Sequence, residues 1–522
     1  MRSLPSIMKT FKPENLIPLG ISVLLVGLLF AWQGNKGFNL ADEGFLWYGV
    51  QRVMLGEVPI RDFMAYDPGR YYWSAAIMSA LGGDGIMNLR FAIAVFYLVG
   101  MNAGMLLFLR PNEEKETDLP YFLVTGLILV MWIYPRFKVF DISVSILLIY
   151  ALTRLIENPT RKRYFVTGFW IGLAAVFGRN HGIYGVAACL GVIMWLNLKR
   201  RLNFDWIKEW MAWIVGVVTG FLPAIFMLLF IPGFAGEFWQ SIFFLFDQKA
   251  TNLALPVPWP WRLNYATLPF MDGVHETLLG LYFISLLVFG ALALSLVVYR
   301  RLKDKPVPAV LVASAFLAFP YAHYAFSRAD LAHLTQGIYP LLIGCLAFFS
   351  TQPFRRKWIS ALTLLLTGLL VMYPVQPGWQ CLTGKCVAVE VSGDTLQVRP
   401  AVAREVAFLR DLADKYAPNG ESFLATPYLP GAYALLERRS PMYENYAFFL
   451  RSEAFEREEI SRIQASNPAF VLILDVPLDD REDLRFKSTH PLVNQYILEN
   501  FDAVPDSPNP IYQIFIPRGL TP

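Results

Sequence analysis

Apolar runs long enough to cross a bilayer set the first bound on this chain. A hydrocarbon core asks for roughly 17 to 25 mostly apolar residues per helix, and about eleven such runs precede residue 376. They fall near 16–32, 87–109, 119–134, 142–156, 164–178, 183–198, 210–231, 277–298, 307–324, 334–350 and 358–374. Of the 522 residues, 55% are hydrophobic and only 16% charged, a balance that a water-soluble globular domain rarely reaches. The predicted fold class is therefore a polytopic α-helical membrane protein with about eleven transmembrane helices.

Lys and Arg in short loops resist translocation, so their distribution orients the spans. They gather at Lys9 and Lys12, at Arg110 and Lys115, at Arg161, Lys162 and Arg163, at Lys199, Arg200 and Arg201, at Arg300, Arg301, Lys303 and Lys305, and at Arg355, Arg356 and Lys357. These loops read as cytoplasmic, which gives a multi-pass plasma-membrane protein whose N-terminus is inside. The first apolar run lacks a convincing small-residue cleavage site and reads as a retained helix. An odd number of spans places the hydrophilic C-terminal portion outside. The net charge of +4 needs no nucleic-acid partner, because the inside loops account for much of the basic content.

Two domains follow from the patterning: residues 1–375 as the transmembrane domain, including a long first outer loop at 33–86, and residues 376–522 as an outer domain. In the first loop, Leu46, Val50, Val53 and Met54 share one helical face, so 42–55 reads as an amphipathic helix in the membrane interface that ends near Gly56. A second short helix follows Pro68, and Trp47, Tyr71, Tyr72 and Trp73 read mainly as an aromatic belt. A second long loop at 232–276, rich in Pro and aromatics and poor in helical period, is a candidate lid or groove. From about residue 400 the pattern is soluble α/β: a helix at 401–416, a strand in ESFLAT, helices near 430 and 455, a strand in AFVLILD, a helix at 490–500 and a strand in PIYQIFI. Cys381 and Cys386, in CLTGKC, read as an outer-face disulfide, since two thiols alone are too few ligands for a metal. No P-loop or GxGxxG fingerprint is present in the 522 residues, so nucleotide chemistry has no support.

Four charged clusters sit where this topology predicts outer loops close to the membrane. They are Asp42 and Glu43 after the first span; Arg136, Lys138 and Asp141 in YPRFKVFDIS; Arg179 and His181 in FGRNHGIYG; and Arg328, Asp330 and His333 in FSRADLAHL. A charge in hydrocarbon costs on the order of 3 kcal/mol or more, so groups at this depth pair, face water or bind something charged. Both signs together suit a lipid-linked phosphate: cations hold the phosphate, and a carboxylate deprotonates an incoming hydroxyl or holds a divalent ion. The bland readings stand beside this one. Asp42 and Asp141 are each placed to cap a helix, Arg136 and Lys138 to touch lipid head groups, and Asp330 and His333, at i and i+3, to share a simple hydrogen bond.

The first loop, ADEGFLWYGVQRVMLGEVPIRDF followed by DPGRYYW, resembles that of the C-type membrane glycosyltransferases, which include bacterial relatives of the protein mannosyltransferases and the aminoarabinose transferases. That family has an acidic motif after one helix, an amphipathic stretch and a G-x-x-P-Y-x-D-F-like run. Here Ile60 stands where Tyr is frequent, and Asp67 replaces the first residue of a Pro-Pro-like pair. A second acidic position before the fourth helix matches Asp141, and an outer C-terminal α/β domain is common. The resemblance implies a GT-C-like fold and transfer of a sugar from a polyprenyl-phosphate carrier to an envelope lipid, glycan or protein acceptor. It makes Asp42 the general base, with Glu43 a second choice, and Asp141 a supporting or metal-linked carboxylate. The phosphate would lie against Arg136, Lys138, Arg179 and Arg328, with His181, Asp330 and His333 as further substrate contacts. Some relatives need a divalent metal such as Mg or Mn and others do not. Rival readings are a transporter or flippase of lipid-linked sugars, a glycan polymerase or ligase, and a ligand sensor. The transporter would need paired inverted halves with broken helices, which the sequence does not display.

Overall fold

The computed structural model describes residues 16–109, 118–199, 204–248, 252–505 and 507–519. Lys9, Lys12, Arg110, Lys115, Arg200 and Arg201 lie outside these residues. The chain forms two compact units: residues 1–34, 93–235 and 239–379 make the first, and residues 35–92, 236–238 and 380–522 the second. The first loop, grouped by sequence with the transmembrane domain, packs with the C-terminal portion.

The helices run in chain order as α1 (Leu16–Gln33), α2 (Asp42–Met54), α3 (Gly69–Leu81), α4 (Ile86–Leu106), α5 (Leu119–Met131), α6 (Val139–Glu157), α7 (Arg161–Phe177) and α8 (Arg179–Asn197). They continue as α9 (Phe204–Phe230), α10 (Phe234–Asp247), α11 (Phe270–Leu302), α12 (Ala309–Ser327), α13 (Leu331–Gly337), α14 (Tyr339–Ser350) and α15 (Phe354–Met372). Every predicted apolar run coincides with a helix. Six of these are long and apolar enough to cross a membrane, or up to eight if two bent pairs each count as one span. The predicted runs at 119–134, 164–178 and 183–198 fall on α5, α7 and α8, with 13, 17 and 19 residues, which are not among the eight.

The first unit is built around α6, which is buried on every side from Val139 to Ile149. A helix apolar all round belongs in an interior. Helices α7 and α9 approach until their backbones touch: a Cβ added at Gly168 or Gly172 would collide with the α9 main chain, and one at Gly216 or Gly220 with that of α7. Small residues at four-residue spacing permit this contact, the usual device where lipid removes the hydrophobic drive between helices. The α9–α10 break falls at Gly233, whose φ of 80° lies in the left-handed region. Helix α10 itself occupies part of the loop predicted at 232–276. Its apolar run of Phe and Trp between Pro232 and Asp247 was masked by the Pro-rich stretch that follows.

After α16 (Pro377–Thr383), the second unit continues with a hairpin of β1 (Val387–Val391) and β2 (Asp394–Val398). Its two-residue turn, Ser392–Gly393, has positive φ at both positions, which matches the twist of the paired strands. Cys381 and Cys386 are disulfide-bonded, with Cα atoms 5.1 Å apart. After α17 (Pro400–Tyr416) come β3 (Leu424–Thr426), α18 (Pro430–Leu435), α19 (Glu453–Ser466), β4 (Val471–Leu474), α20 (Phe486–Thr489), α21 (Pro491–Asn500), β5 (Phe501–Ala503) and β6 (Tyr512–Pro517). The sheet order is β3-β4-β6-β5, with β3 and β4 parallel and the other pairs antiparallel. Leu424, Val471, Ile473 and Phe515 of the sheet pack with Ile463, Val493 and Ile497 of α19 and α21.

Helix α2 is where the interface reading fails. Residues Glu43 to Gln51 are all buried, and the helix packs inside the second unit instead of lying on a membrane. Gly44 meets Gly431 of α18 so closely that a Cβ on either glycine would strike backbone. Trp47 and Tyr71, read as belt aromatics, are fully buried. The Trp47 indole donates to the Asp84 carbonyl at 2.7 Å, and the Tyr71 hydroxyl accepts from the Tyr66 amide at 3.0 Å. The amphipathic pattern was real, but its polar positions also found partners.

Candidate functional site

Asp42 and Glu43 begin α2 and have different surroundings. The Asn39 side-chain carbonyl accepts the amides of Ala41 and Asp42, each at 2.9 Å, so Asn39 does the capping that Asp42 was placed to do. That leaves the Asp42 carboxylate for other work. Its Oδ1 accepts a hydrogen bond of 3.0 Å from the hydroxyl of Tyr446. Among the described residues Asp42 takes part in no ion pair. Glu43 is buried and receives a bidentate pair from Arg90 Nε and Nη2, both at 2.8 Å, while Arg90 Nη2 also donates to the Gly37 carbonyl. Such a fork satisfies a buried charge and fixes its geometry.

Tyr446 lies among rings. Its centroid is 5.6 Å from that of Phe45, 5.9 Å from Tyr428 and 5.3 Å from Phe448. Burial raises its pKa well above the usual phenol range, and the negative charge of Asp42 raises it further. Tyr446 therefore keeps its proton at neutral pH and acts as donor.

In the first unit, two of the predicted clusters are joined directly. His181 Nε2 lies 2.7 Å from Asp141 Oδ1, and His181 Nδ1 lies 2.9 Å from the Tyr321 hydroxyl, all three residues being buried. The ring of Tyr324 sits between the two histidines, 5.7 Å from His181 and 5.8 Å from His333. His333 Nδ1 is 2.8 Å from Asp330 Oδ1, and Arg328 Nε donates to Asp330 Oδ2 at 2.9 Å. Asp330 also caps α13 by accepting the His333 amide. The i, i+3 pair is thus a hydrogen bond within a helix cap. Three of the four charged clusters, separated by up to about 190 positions in sequence, meet through His181, Tyr324 and His333.

The predicted phosphate-binding cations have protein partners. Arg136 donates to the Gly34 and Gln33 carbonyls at 3.1 and 3.3 Å, so it covers the carbonyl end of α1. Arg179, the first residue of α8, donates to the Ser241 hydroxyl at 2.8 Å, and Arg328 also donates to the Leu253 carbonyl at 3.1 Å. Lys138 ends the short 3₁₀ turn before α6 and is half-buried. Among the described residues, no group of three or more His, Cys, Asp or Glu side chains could hold a metal ion. Asp141 is committed to His181, and Asp330 to Arg328 and His333, so these carboxylates do not fit a divalent cation.

No protein-family model matches the chain, and no curated protein does. Among solved structures, the chain is similar to the aminoarabinose transferase ArnT from Cupriavidus metallidurans bound to undecaprenyl phosphate. That match has 12% identity, covers 96% of this chain and 97% of that one, and has a TM-score of 0.49. It is also similar to the Archaeoglobus fulgidus oligosaccharyltransferase in its apo form, at 12% identity over 96% of this chain and 74% of that one, with a TM-score of 0.46. The archaeal oligosaccharyltransferase AglB from Archaeoglobus fulgidus, in complex with an inhibitory peptide and a dolichol-phosphate, matches at 12% identity over 90% and 70% of the two chains, with a TM-score of 0.42.

Sequence reasoning missed Arg90, Tyr321, Tyr324 and Tyr446. Arg90 carried a legible signal, a lone charge near the start of an apolar run. Tyr446 carried none, because it is 404 positions from the carboxylate it meets.

Proposed function

We propose that the chain is a membrane glycosyltransferase that moves a sugar from a polyprenyl-phosphate carrier to a hydroxyl of an envelope lipid, glycan or protein. The reading joins the first-loop resemblance to one observation: of the two adjacent carboxylates, Glu43 is taken by Arg90, whereas among the described residues the Asp42 side chain bonds only to a phenol. Asp42 is the general base. It takes the proton of the acceptor hydroxyl as that oxygen bonds to the anomeric carbon, and the bond from that carbon to the phosphate oxygen breaks, its electron pair leaving with the polyprenyl phosphate. A positioned base contributes about 10²- to 10⁴-fold.

The leaving phosphate calls for cations, and the sequence offers Arg136, Lys138, Arg179 and Arg328. Fixed cations that meet charge as it develops supply a term comparable to the base or larger. Asp141 orients His181 and is not assigned a metal. The proposed topology keeps about eleven spans, counting α5, α7 and α8, with the N-terminus in the cytoplasm and residues 376–522 outside.

The deciding experiment incubates membranes that contain the protein with radiolabelled undecaprenyl-phosphate hexoses and pentoses and follows label into lipid, glycan and protein fractions. Transfer that is lost in Asp42→Asn, at equal expression, is the expected result. Transfer at the wild-type rate by that variant removes Asp42 as the base. If no label moves from any donor, the glycosyltransferase reading fails.

A further inference from the structure

The irregular segment from Ser440 to Leu450 belongs to no helix or strand of four residues or more, yet it is tied down along its length. The Ser440 amide donates to the Tyr48 hydroxyl of α2 at 3.0 Å, and the Met64 amide donates to the Tyr443 carbonyl at 2.9 Å. The Tyr443 hydroxyl donates to the Ile60 carbonyl at 2.7 Å. Next along the chain, Glu444 is completely buried. It accepts two hydrogen bonds from Arg451, of 2.7 and 2.8 Å, and lies 3.1 Å from His490 Nε2. The Ala447 amide closes the far side on the Pro427 carbonyl at 2.7 Å. Between Glu444 and Ala447 stands Tyr446, whose hydroxyl meets Asp42.

A buried carboxylate with a bidentate arginine is an expensive way to fix an irregular segment, because each charge loses its hydration and must recover it from partners. The arrangement makes sense where the geometry of one side chain two residues away matters. Tyr446 satisfies that description: one rotation about its side chain would withdraw the only side-chain hydrogen bond that Asp42 makes among the described residues.

We infer that Tyr446 is a positioning residue for Asp42, held in register by the Glu444–Arg451–His490 cluster, so that residues 440–451 of the C-terminal portion belong to the transfer machinery. The inference rests on Asp42 as the base. The phenol fixes the carboxylate through one oxygen and leaves the other to face the acceptor hydroxyl. Misplacing a reacting group by about 1 Å costs roughly 10²-fold, so loss of the anchoring hydrogen bond belongs in the range of about 10- to 100-fold.

The test uses the full-length protein, purified in detergent, with the undecaprenyl-phosphate sugar that supports transfer, and compares wild type, Tyr446→Phe, Asp42→Asn and the double variant. Tyr446→Phe keeps the ring and its packing, and a thermal melt within about 2 °C of wild type documents the fold. The expected result is a kcat lower by about 10- to 100-fold with the donor KM changed less than about twofold, and a double variant no slower than Asp42→Asn alone, because Tyr446 acts through the carboxylate. Glu444→Gln should move kcat in the same direction by a smaller factor. A wild-type kcat in Tyr446→Phe overturns the inference while Asp42→Asn still reports on the base. A loss that multiplies with that of Asp42→Asn, or a fall in kcat accompanied by a matching fall in melting temperature, shows a structural role and overturns it too. A wild-type rate in Asp42→Asn instead removes the reading on which the inference rests.

Discussion

Asp42 and Asp141 both stand in the first turn of a helix, one in each unit, and their surroundings treat them in opposite ways. Asp141 is buried and bonded to His181, which is bonded in turn to Tyr321, so it forms part of an interior polar chain. Asp42 is half-buried, and its helix is capped by another residue. Among the described residues its one side-chain partner is the neutral hydroxyl of Tyr446. In a buried polar chain of this kind, removing one member leaves an unsatisfied group behind. A carboxylate held at one oxygen can exchange a proton with a substrate. Proximity to a predicted membrane surface does not separate these two settings, whereas the fold does.

The largest effect that can break this contrast is on turnover. Asp42→Asn should lower kcat by about 10²- to 10⁴-fold with a near-wild-type melt. If Asp141→Asn lowers kcat equally and leaves the melt unchanged, the division between the two carboxylates is lost. Next in size is Arg90→Met. It strands Glu43 as a buried unpaired charge and should destabilise the fold by about 3–5 kcal/mol, read by denaturant or thermal unfolding in detergent. The double change Glu43→Gln with Arg90→Met should recover part of that loss. Equal instability in the single and double variants would mean that the cost lies in packing.

His181→Ala leaves two groups unpaired, Asp141 and Tyr321, at about 1–3 kcal/mol each, a total comparable with that of Arg90→Met, and should be seen mainly as a lower melting temperature. A large fall in kcat with no change in melting would instead move the Asp141–His181 pair from structure into chemistry.

The smallest effect is on pH dependence in the second unit. Burial pushes the Glu459 carboxyl up from its ordinary 4.5 to about 7, opposed by the nearby Arg462 guanidinium and reinforced by the charge of Glu444. The folded protein then holds a proton that the unfolded chain releases. This group's contribution to stability is full below about pH 4.5 and declines as pH rises towards about 7. Glu459→Gln should flatten that part of the stability profile. An unchanged slope in the variant would assign the pH dependence to other groups.

Local patterning made much of the molecule legible. Predicted apolar runs fall on helices, and α17, α19, β4, α21 and β6 lie where alternation and helical period place them. What was not legible has a physical cause in each instance. Helix α10 was overlooked because the Pro-rich sequence after it dominated the reading of the loop. Helix α2 was given to the membrane interface because an amphipathic period identifies a buried stripe without saying what buries it; α18 and the 440–451 segment do so. The hairpin of β1 and β2 was missed because five-residue strands around a Ser-Gly turn give little periodicity.

By itself, the sequence determined that this chain is built of apolar helices followed by an α/β portion, and that charges gather at a few helix ends, because hydrophobic length and period are properties of contiguous residues. Only the tertiary structure decided what each charge meets. Glu43 is answered by Arg90 from 47 positions away, Asp141 by His181 from 40, and Asp42 by Tyr446 from 404. The work a carboxylate can do depends on what fills its lone pairs. Those partners are brought by the fold, not by neighbours in the chain.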